Sequence, residues 1–126
     1  MRDPRVGVDL VDVASFRKRF EGRKDVLAQV FTPAELAYAR AQHSQWPHLA
    51  ARFAAKEAAL KALGIGLAGG ITWRDIEVTR DEAGTPGLAF HGAMTTALAR
   101  EGLARGSVSL SHTEDHAVAV VLLYPG

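Results

Sequence analysis

The sequence predicts an α+β fold: one compact domain over residues 1–126, with a mixed or antiparallel sheet packed against Ala-rich helices. A chain of 126 residues has the length of one domain. Helical and strand-like patterns follow one another without a linker, an internal repeat or a low-complexity tract. The chain ends in an alternating strand pattern and a nearly all-apolar one, separated by a short polar turn, which predicts a C-terminal hairpin.

The composition narrows the class of protein. The apolar fraction of 48% and the charged fraction of 23% are typical of soluble globular proteins. The absence of Cys excludes disulfides and Cys-ligated zinc, and it suits a reducing compartment. No apolar run approaches the roughly 20 residues of a membrane span, and the first residues lack the apolar core of a signal peptide. We therefore expect a cytoplasmic protein that does not enter a membrane.

The first predicted element is a strand over residues 6–11, where apolar side chains recur with a period of two. Asp9 is exceptional in this strand, because burial of a carboxylate without a partner is costly. A helical pattern follows over residues 12–20. Asp9 is therefore a candidate for a functional role.

The next two predicted elements are helices. Thr32-Pro33-Ala34-Glu35 is a strong helix start, with a capping residue, a proline at the first helical position and a glutamate that completes a capping box. This helix is expected to end near Gln42. Trp46-Pro47 predicts a break, because the residue before a proline disfavours helix. A second helix is then expected from about His48 to Gly64, since glycine is a common helix stop.

The second half of the chain predicts strands, turns and one further helix. These are a glycine-rich loop over 64–70, a strand over 71–79, a turn over 81–86, a short strand over 88–90, a helix over 92–103, and hairpin strands over 107–112 and 117–124. The last strand is nearly all apolar, and we expect it to be central in the sheet because both of its faces would be covered.

The helix expected from His48 to Gly64 has an unusual distribution of charge. On a helical wheel, large apolar residues lie on one side and alanines on the other, so both sides should be covered. Arg52 and Lys56 follow one flank, and Glu57 and Lys61 follow the other. A charge in such a seam needs a partner or a ligand. The simplest partner is an ion pair between Glu57 and Lys61, four residues apart.

Asp9 and Glu57 together allow a second interpretation. One carboxylate on a strand and one on a helix are enough to hold Mg²⁺, which takes its remaining ligands from waters and substrate phosphates. Lys56, Lys61 and the loop after Gly64 are candidates for binding such a phosphate. The spacing does not decide between this metal site and the ion pair.

A basic cluster lies early in the chain: Arg17, Lys18, Arg19, Arg23 and Lys24. Such a cluster indicates either an ordinary solvated helix face or an acidic partner, which would be a nucleic acid, a phosphate ligand or an acidic protein. Nucleic acid is disfavoured because the chain lacks the aromatic platform on which bases stack.

Several short motifs then occur in an order and spacing that resemble the holo-acyl-carrier-protein synthases, the short type of phosphopantetheinyl transferase. They are Gly7-Val8-Asp9-Leu10, Phe31-Thr32 with Glu35, Arg52-Phe53-Ala54-Ala55-Lys56-Glu57-Ala58, Lys61-Ala62-Leu63-Gly64, Trp73 with Asp75-Ile76-Glu77-Val78, Gly84 with Pro86, and Val108-Ser109-Leu110-Ser111-His112. The resemblance spans essentially the whole chain.

The resemblance implies a reaction and a catalytic set. A serine of an apo acyl carrier protein would attack the β-phosphate of coenzyme A, accept phosphopantetheine and release adenosine 3′,5′-bisphosphate. Asp9 and Glu57 would hold Mg²⁺, with Mn²⁺ as an alternative, and Lys61 would add positive charge on the phosphates. The base that accepts the serine proton is left open between a metal-bound water and a nearby carboxylate.

The resemblance also implies contacts with coenzyme A, with the carrier and between subunits. The expected coenzyme A contacts are Arg52, Lys56, Lys61, Gly64, Pro86, His112 and Thr113. Members of the family are homotrimers with active sites between neighbouring subunits. An acidic carrier would dock on Arg17, Lys18, Arg19 and Arg23. The family often has an arginine in the first turns of this helix, where Ala14 and Ser15 stand here, so the docking contacts are expected to shift to Arg17 and its neighbours.

Two alternatives remain. Taken without the resemblance, His112 would be an exposed residue at a turn. A non-catalytic domain that binds coenzyme A or a carrier is a rival to the transferase, although the intact set of Asp9, Glu57, Lys61 and His112 argues against an inactive site.

Overall fold

The computed structural model describes residues 3–126, and it confirms the α+β fold class. In chain order the elements are β1 (Arg5–Asp12), α1 (Val13–Phe20), α2 (Lys24–Val30), α3 (Pro33–Arg40), α4 (Gln45–Leu63), a short 3-10 helix (Trp73–Asp75), β2 (Ile76–Arg80), β3 (Pro86–Phe90), α5 (Gly92–Arg100), β4 (Arg105–His112) and β5 (His116–Tyr124). None of the described helices is long and apolar enough to cross a membrane.

The strands form two antiparallel sheets. The first has three strands in the order β1-β5-β4, so the prediction that the last strand is central is confirmed. The second is the β2–β3 hairpin. One face of the larger sheet packs on α4, and Ala117, Ala119 and Val121 of β5 are buried there.

The opposite face of the larger sheet is apolar and open to solvent. Val6, Val8 and Leu10 point outward from β1 and are 64%, 55% and 66% exposed. Val120 and Leu122 of β5 extend the same surface. We refer to these five residues as the outer sheet face. Its apolar character is typical of a surface that is covered by another protein chain.

Helix α4 is enclosed on both sides, as its pattern of large and small residues predicts. Leu49, Phe53 and Leu60 are buried on one side, and the alanines are buried against the sheet. The helix ends at Gly64, which has the left-handed conformation that glycine adopts without strain.

Three predicted boundaries are wrong by three residues or more, and one helix was not anticipated. Helix α5 ends at Arg100 rather than at Leu103. Helix α4 begins at Gln45 rather than near His48, because Pro47 lies in the first turn, where a backbone N–H has no partner within the helix. Residues 71–75 are not strand: the 3-10 helix is stabilised by Asp75, whose carboxylate accepts a hydrogen bond from the backbone N–H of Thr72. Helix α2 was not predicted.

Gly7 allows β1 to lie directly on α4. A Cβ at this position would be 1.9 Å from the carbonyl oxygen of Ala58, which is backbone and cannot rotate away. We expect Gly7→Ala to lower the free energy of unfolding by about 1–3 kcal/mol or more, because β1 must move off the helix. Urea denaturation measures this loss. Gly66→Ala is the matched control, since no atom lies within 4 Å of a Cβ there, and equal losses in the two variants would contradict the close approach.

Candidate active site

A pocket of about 420 Å³ lies between β1, α1 and α4. The predicted site residues Asp9, Glu57 and Lys61 all line it, so the fold brings together residues that are far apart in sequence. Helix α1 contributes the polar Ser15 and the cationic Arg19 to the same pocket. Phe16 and Phe53 form an apolar wall of this pocket. The arrangement is an anionic site with cations beside it.

Local structure explains why these side chains converge. Asp9 lies on the β1 face that packs on α4, whereas its neighbours Val8 and Leu10 point outward. Glu57 and Lys61 are one turn apart and therefore share the flank of α4 that faces β1. The two flanks predicted for α4 are confirmed, since Arg52 lies on the opposite, buried flank.

Lys61 pairs with Asp9 rather than with Glu57. Its Nζ lies 2.7 Å from Asp9 Oδ1, and this hydrogen bond raises the pKa of the Lys61 ammonium. Within residues 3–126, no ion pair joins Lys61 to Glu57. The simple ion pair between residues four apart on one helix is therefore not what the structure shows.

Glu57 lacks a direct partner among the described residues and lies in an unfavourable environment for a negative charge. Burial and then the negative charge of Asp9 raise the pKa of Glu57, while the positive charges of Lys61 and Arg19 lower it by less. Two carboxylates that repel each other in one pocket form a site that a cation stabilises.

The donor set suits Mg²⁺. The pocket offers carboxylate oxygens and no soft ligand, and hard oxygen ligands are those that magnesium prefers. In the part of the chain that the structure describes, no group of three or more His, Cys, Asp or Glu residues could hold a metal. Two protein carboxylates completed by waters and phosphates match the usual coordination of Mg²⁺.

Lys56 does not face this pocket. Its Nζ donates hydrogen bonds to Glu35 Oε1 at 2.9 Å and to the carbonyl oxygens of Trp73 at 3.1 Å and Ile76 at 2.5 Å. The side chain is completely buried, and each of the three N–H donors of its ammonium group has an acceptor. The structure thus places Lys56 in the core and not at a coenzyme A contact.

A second, cationic cluster surrounds Tyr38. The guanidinium carbons of Arg52 and Arg80 lie 4.2 Å and 4.4 Å from its ring centroid. The imidazole rings of His48 and His112 lie beside it, with 4.7 Å between their ring centroids. Arg52 Nη1 donates a hydrogen bond to the His48 carbonyl oxygen. Among the described residues, the buried Arg52 Nε has no hydrogen-bond partner. This cationic cluster is suited to an anion.

The sequence predicted two members of this cationic cluster, Arg52 and His112, and missed the other three. No motif in the sequence around Tyr38, His48 or Arg80 indicates a role in binding. Only the packing of α3 against α4 and β2 brings them together. Because their spacing along the chain is irregular, a sequence pattern would not have found them.

Burial, and then the cationic neighbours, lower the pKa of His48. These neighbours are His112, Arg52 and Arg80. A depressed histidine pKa stabilises the folded state above the usual value of about 6.5, and this stability is lost as pH falls through the folded-state pKa. We expect the free energy of unfolding, measured in urea, to fall more steeply from pH 7.5 to 5.5 in the wild type than in His48→Asn. Parallel curves would contradict this effect.

Three other predicted residues lie outside both sites. Gly64 ends α4, and Pro86 begins β3. Thr113 lies in the turn between β4 and β5, where its hydroxyl oxygen accepts hydrogen bonds from the backbone N–H groups of Asp115 and His116. Within a single chain none of these residues lines the pocket that contains Asp9.

The basic cluster occupies the exposed side of α1 and the start of α2. Arg17 forms an ion pair with Glu21 and lies over the Trp46 ring. Lys18 and Arg23 are exposed.

Comparison with known proteins identifies the class. Residues 5–121 match the family model of the 4′-phosphopantetheinyl transferase superfamily. The holo-[acyl-carrier-protein] synthase of Moorella thermoacetica is 47% identical over 118 residues, which cover 93% of this chain and 91% of that protein. The chain therefore belongs to the 4′-phosphopantetheinyl transferase superfamily and is an enzyme of that class.

Solved structures agree with this membership. The holo-[acyl-carrier-protein] synthase of Neisseria meningitidis superposes with a TM-score of 0.82 at 32% identity, over 94% of this chain and 96% of that one. A complex of the Chronobacterium ammoniagenes enzyme with coenzyme A superposes with a TM-score of 0.84 at 30% identity, over 99% of both chains. The resemblance to holo-acyl-carrier-protein synthases is thereby confirmed.

Proposed function

We propose that this enzyme transfers 4′-phosphopantetheine from coenzyme A to a serine of an apo acyl carrier protein, with Mg²⁺, and releases adenosine 3′,5′-bisphosphate. The observation that supports this most directly is the pocket in which Asp9, Glu57 and Lys61 meet. A pair of carboxylates with an adjacent ammonium is the arrangement that a metal-assisted reaction of a pyrophosphate needs. Relatives named holo-[acyl-carrier-protein] synthase, one of them solved with coenzyme A, supply the substrate class.

In the proposed reaction the serine oxygen forms a bond to the β-phosphorus of coenzyme A. The bond from that phosphorus to the bridging oxygen breaks, and adenosine 3′,5′-bisphosphate leaves. Asp9 and Glu57 would hold the metal, which neutralises charge on the pyrophosphate when bound. Lys61, fixed beside Asp9, adds a second positive charge for the phosphate oxygens. The serine proton passes to a water or to a carboxylate of this pocket.

The cationic cluster around Tyr38 is proposed to hold another phosphate of coenzyme A. Arg52 and His112 are the members that the family resemblance assigns to the coenzyme. Arg80 adds positive charge to the same place, and the lowered pKa of His48 favours its neutral imidazole there. In one chain this cationic cluster shares no residue with the pocket that contains Asp9. A single coenzyme A would therefore contact both places most simply if they come from neighbouring subunits.

A homotrimer with active sites between its subunits fits this separation of the cationic cluster from the pocket that contains Asp9. The outer sheet face, formed by Val6, Val8, Leu10, Val120 and Leu122, offers the apolar surface for such an assembly. We expect Leu10→Asp to dissociate the trimer, because a charge buried at a subunit contact has no partner. Light scattering after size-exclusion chromatography measures the mass. Leu67→Asp changes an exposed loop leucine and should leave the mass unchanged. A trimeric Leu10→Asp variant would contradict this interface.

Mass spectrometry tests the reaction. The full chain is incubated with coenzyme A, Mg²⁺ and an apo acyl carrier protein. The proposal predicts a phosphopantetheine adduct on one serine and loss of that adduct when a chelator removes the metal. Binding of coenzyme A without any adduct would support the rival interpretation of a non-catalytic binding domain.

A further inference from the structure

The two arginines of the cationic cluster differ in their access to a ligand. Arg52 and Arg80 both border a pocket of about 280 Å³ beside Tyr38. Arg52 is only 1% exposed, whereas Arg80, at the end of β2, is exposed. A side chain that water hardly reaches is also closed to a phosphate group, because the phosphate is larger. Arg52 is therefore closed to a ligand in this conformation, and Arg80 is open to one.

Tyr38 lies against both guanidiniums. Their central carbons are 4.2 Å (Arg52) and 4.4 Å (Arg80) from the centroid of its half-buried ring. The two positive charges repel each other: burial and then the charge of Arg80 lower the pKa of Arg52, and Tyr38 opposes this shift. The face of an aromatic ring attracts a cation. Tyr38 thus holds an exposed guanidinium next to a buried one.

Arg80 is fixed in place and keeps most of its donors available. Its Nη1 donates a hydrogen bond of 2.6 Å to the carbonyl oxygen of Gly84, and a guanidinium has five N–H donors in all. Among the described residues, no carboxylate forms an ion pair with Arg80. Glu77 is the acidic residue that lines the same pocket, but its carboxylate accepts a hydrogen bond from the Thr32 hydroxyl, and its Oε1 lies 3.0 Å from His91 Nε2. The charge of Arg80 is therefore available to an anion.

The anion that suits this place is the 3′-phosphate of coenzyme A. Coenzyme A carries its negative charge on a pyrophosphate and on one 3′-phosphate. The pyrophosphate is proposed to lie with the metal at Asp9 and Glu57, in a pocket that shares no residue with the one beside Tyr38. The 3′-phosphate remains, and the planar fork of arginine matches two oxygens of such a group.

We propose that Arg80 binds the 3′-phosphate of coenzyme A directly, that Tyr38 positions Arg80, and that the buried Arg52 adds its charge from the core without touching the ligand. The inference rests on the proposed function, since coenzyme A is the ligand. It departs from the contact that the family resemblance assigns to Arg52. Arg80 is thus a binding residue, and Tyr38 is a positioning residue because it acts through Arg80.

Calorimetric titration of the full chain with coenzyme A and with dephospho-coenzyme A, both with Mg²⁺, measures the contribution of the 3′-phosphate. The ratio of the two dissociation constants is the preference for that group. We expect the wild type to prefer coenzyme A and Arg80→Met to lower this preference by about tenfold or more, because a hydrogen-bonded charge is lost. Arg80→Lys should keep part of it, since lysine has the charge without the fork. An unchanged preference in Arg80→Met, or none in the wild type, would overturn the proposal.

Arg74→Met is the matched control. Arg74 is also exposed, and its Nη1 also donates a hydrogen bond to a backbone carbonyl, that of Ala28. It does not line the pocket beside Tyr38, so its replacement should leave the preference unchanged. A loss as large as that in Arg80→Met would show that positive charge anywhere on this surface suffices, and it would refute a direct contact.

Two substitutions test the role of Tyr38. Tyr38→Phe keeps the ring, and its preference should stay within about twofold of the wild type. Tyr38→Leu removes the ring, and we expect the preference to fall by about threefold to tenfold, as loss of a cation–π contact does, with the dissociation constant of dephospho-coenzyme A unchanged. In the double variant Arg80→Met/Tyr38→Leu the preference should fall no further than in Arg80→Met alone. Equal weakening of both ligands by Tyr38→Leu, or additive losses in the double variant, would refute the positioning role.

The proposed function and this inference can fail separately. No carrier protein is present in the titrations, so binding of the coenzyme is measured without transfer. A preference that depends on Arg80, together with no adduct in the transfer assay, would refute the proposed function alone. An adduct together with an unchanged preference in Arg80→Met would refute the inference alone, and no binding of coenzyme A would refute both.

Discussion

Glu57→Ala is expected to abolish transfer while leaving a folded protein. Glu57 is one of the two carboxylates proposed to hold Mg²⁺, so its loss removes half of the protein's metal ligands. A metal that stabilises charge in the transition state contributes several kcal/mol, and about 4 kcal/mol corresponds to a rate change of about a thousandfold. Transfer assayed at limiting Mg²⁺, together with Mn²⁺ binding followed by electron paramagnetic resonance, measures the loss.

Stability should change little in the same variant. No hydrogen bond or ion pair among residues 3–126 uses the Glu57 carboxylate, and burial and Asp9 both disfavour its charge. The melting temperature of Glu57→Ala should therefore equal or slightly exceed that of the wild type. Glu82→Ala, in the exposed turn after β2, is the control for removal of a surface carboxylate. A rate close to that of the wild type at limiting Mg²⁺ would refute the metal assignment.

Elements whose position depends on residues close together in the chain could be predicted from the sequence. The start of α3 is an example: Thr32 Oγ1 accepts a hydrogen bond from the Glu35 backbone, and Glu35 Oε1 accepts one from the Thr32 backbone. The central position of β5 followed from its nearly continuous apolar run. Both depend on residues that are adjacent or a few positions apart, and such signals are present in the sequence itself.

Features set by tertiary packing could not be predicted in the same way. The sequence showed that α4 has two charged flanks, but which flank is buried depends on where α3 and β2 pack. Lys56 was therefore expected at the coenzyme and lies in the core instead. The spacing of Asp9 and Glu57 along the chain likewise could not predict that their side chains line one pocket. That expectation came from the resemblance of the ordered motifs to a known family. The cationic cluster around Tyr38 combines α3, α4, β2 and β4, and only the fold shows it.

Lys56 forms with Glu35 a buried ion pair that joins three parts of the fold. The ammonium and carboxylate are 2.9 Å apart, and both side chains are fully buried. Glu35 also caps α3 and accepts a hydrogen bond from the backbone N–H of Val78 in the β2–β3 hairpin. The pair therefore links α3, α4 and β2. Removing one member leaves the other charge buried without compensation.

Lys56→Met should consequently be the most destabilising of the substitutions proposed for this protein. We expect a loss of about 3–5 kcal/mol in the free energy of unfolding, the usual result when one partner of a buried pair is removed. A domain of this size has only about 5–15 kcal/mol in total. Urea denaturation measures the loss, and Lys18→Met, at an exposed position on α1, is the matched control.

The double variant Glu35→Gln/Lys56→Met identifies the cause. It removes both charges, and the amide oxygen of the introduced glutamine still accepts one of the backbone hydrogen bonds that Glu35 accepts. If the uncompensated charge is the source of the loss, the double variant must be more stable than Lys56→Met alone, and the two single effects must not add. Additive losses would show instead that the packing of the lysine stem matters and that the ion pair does not.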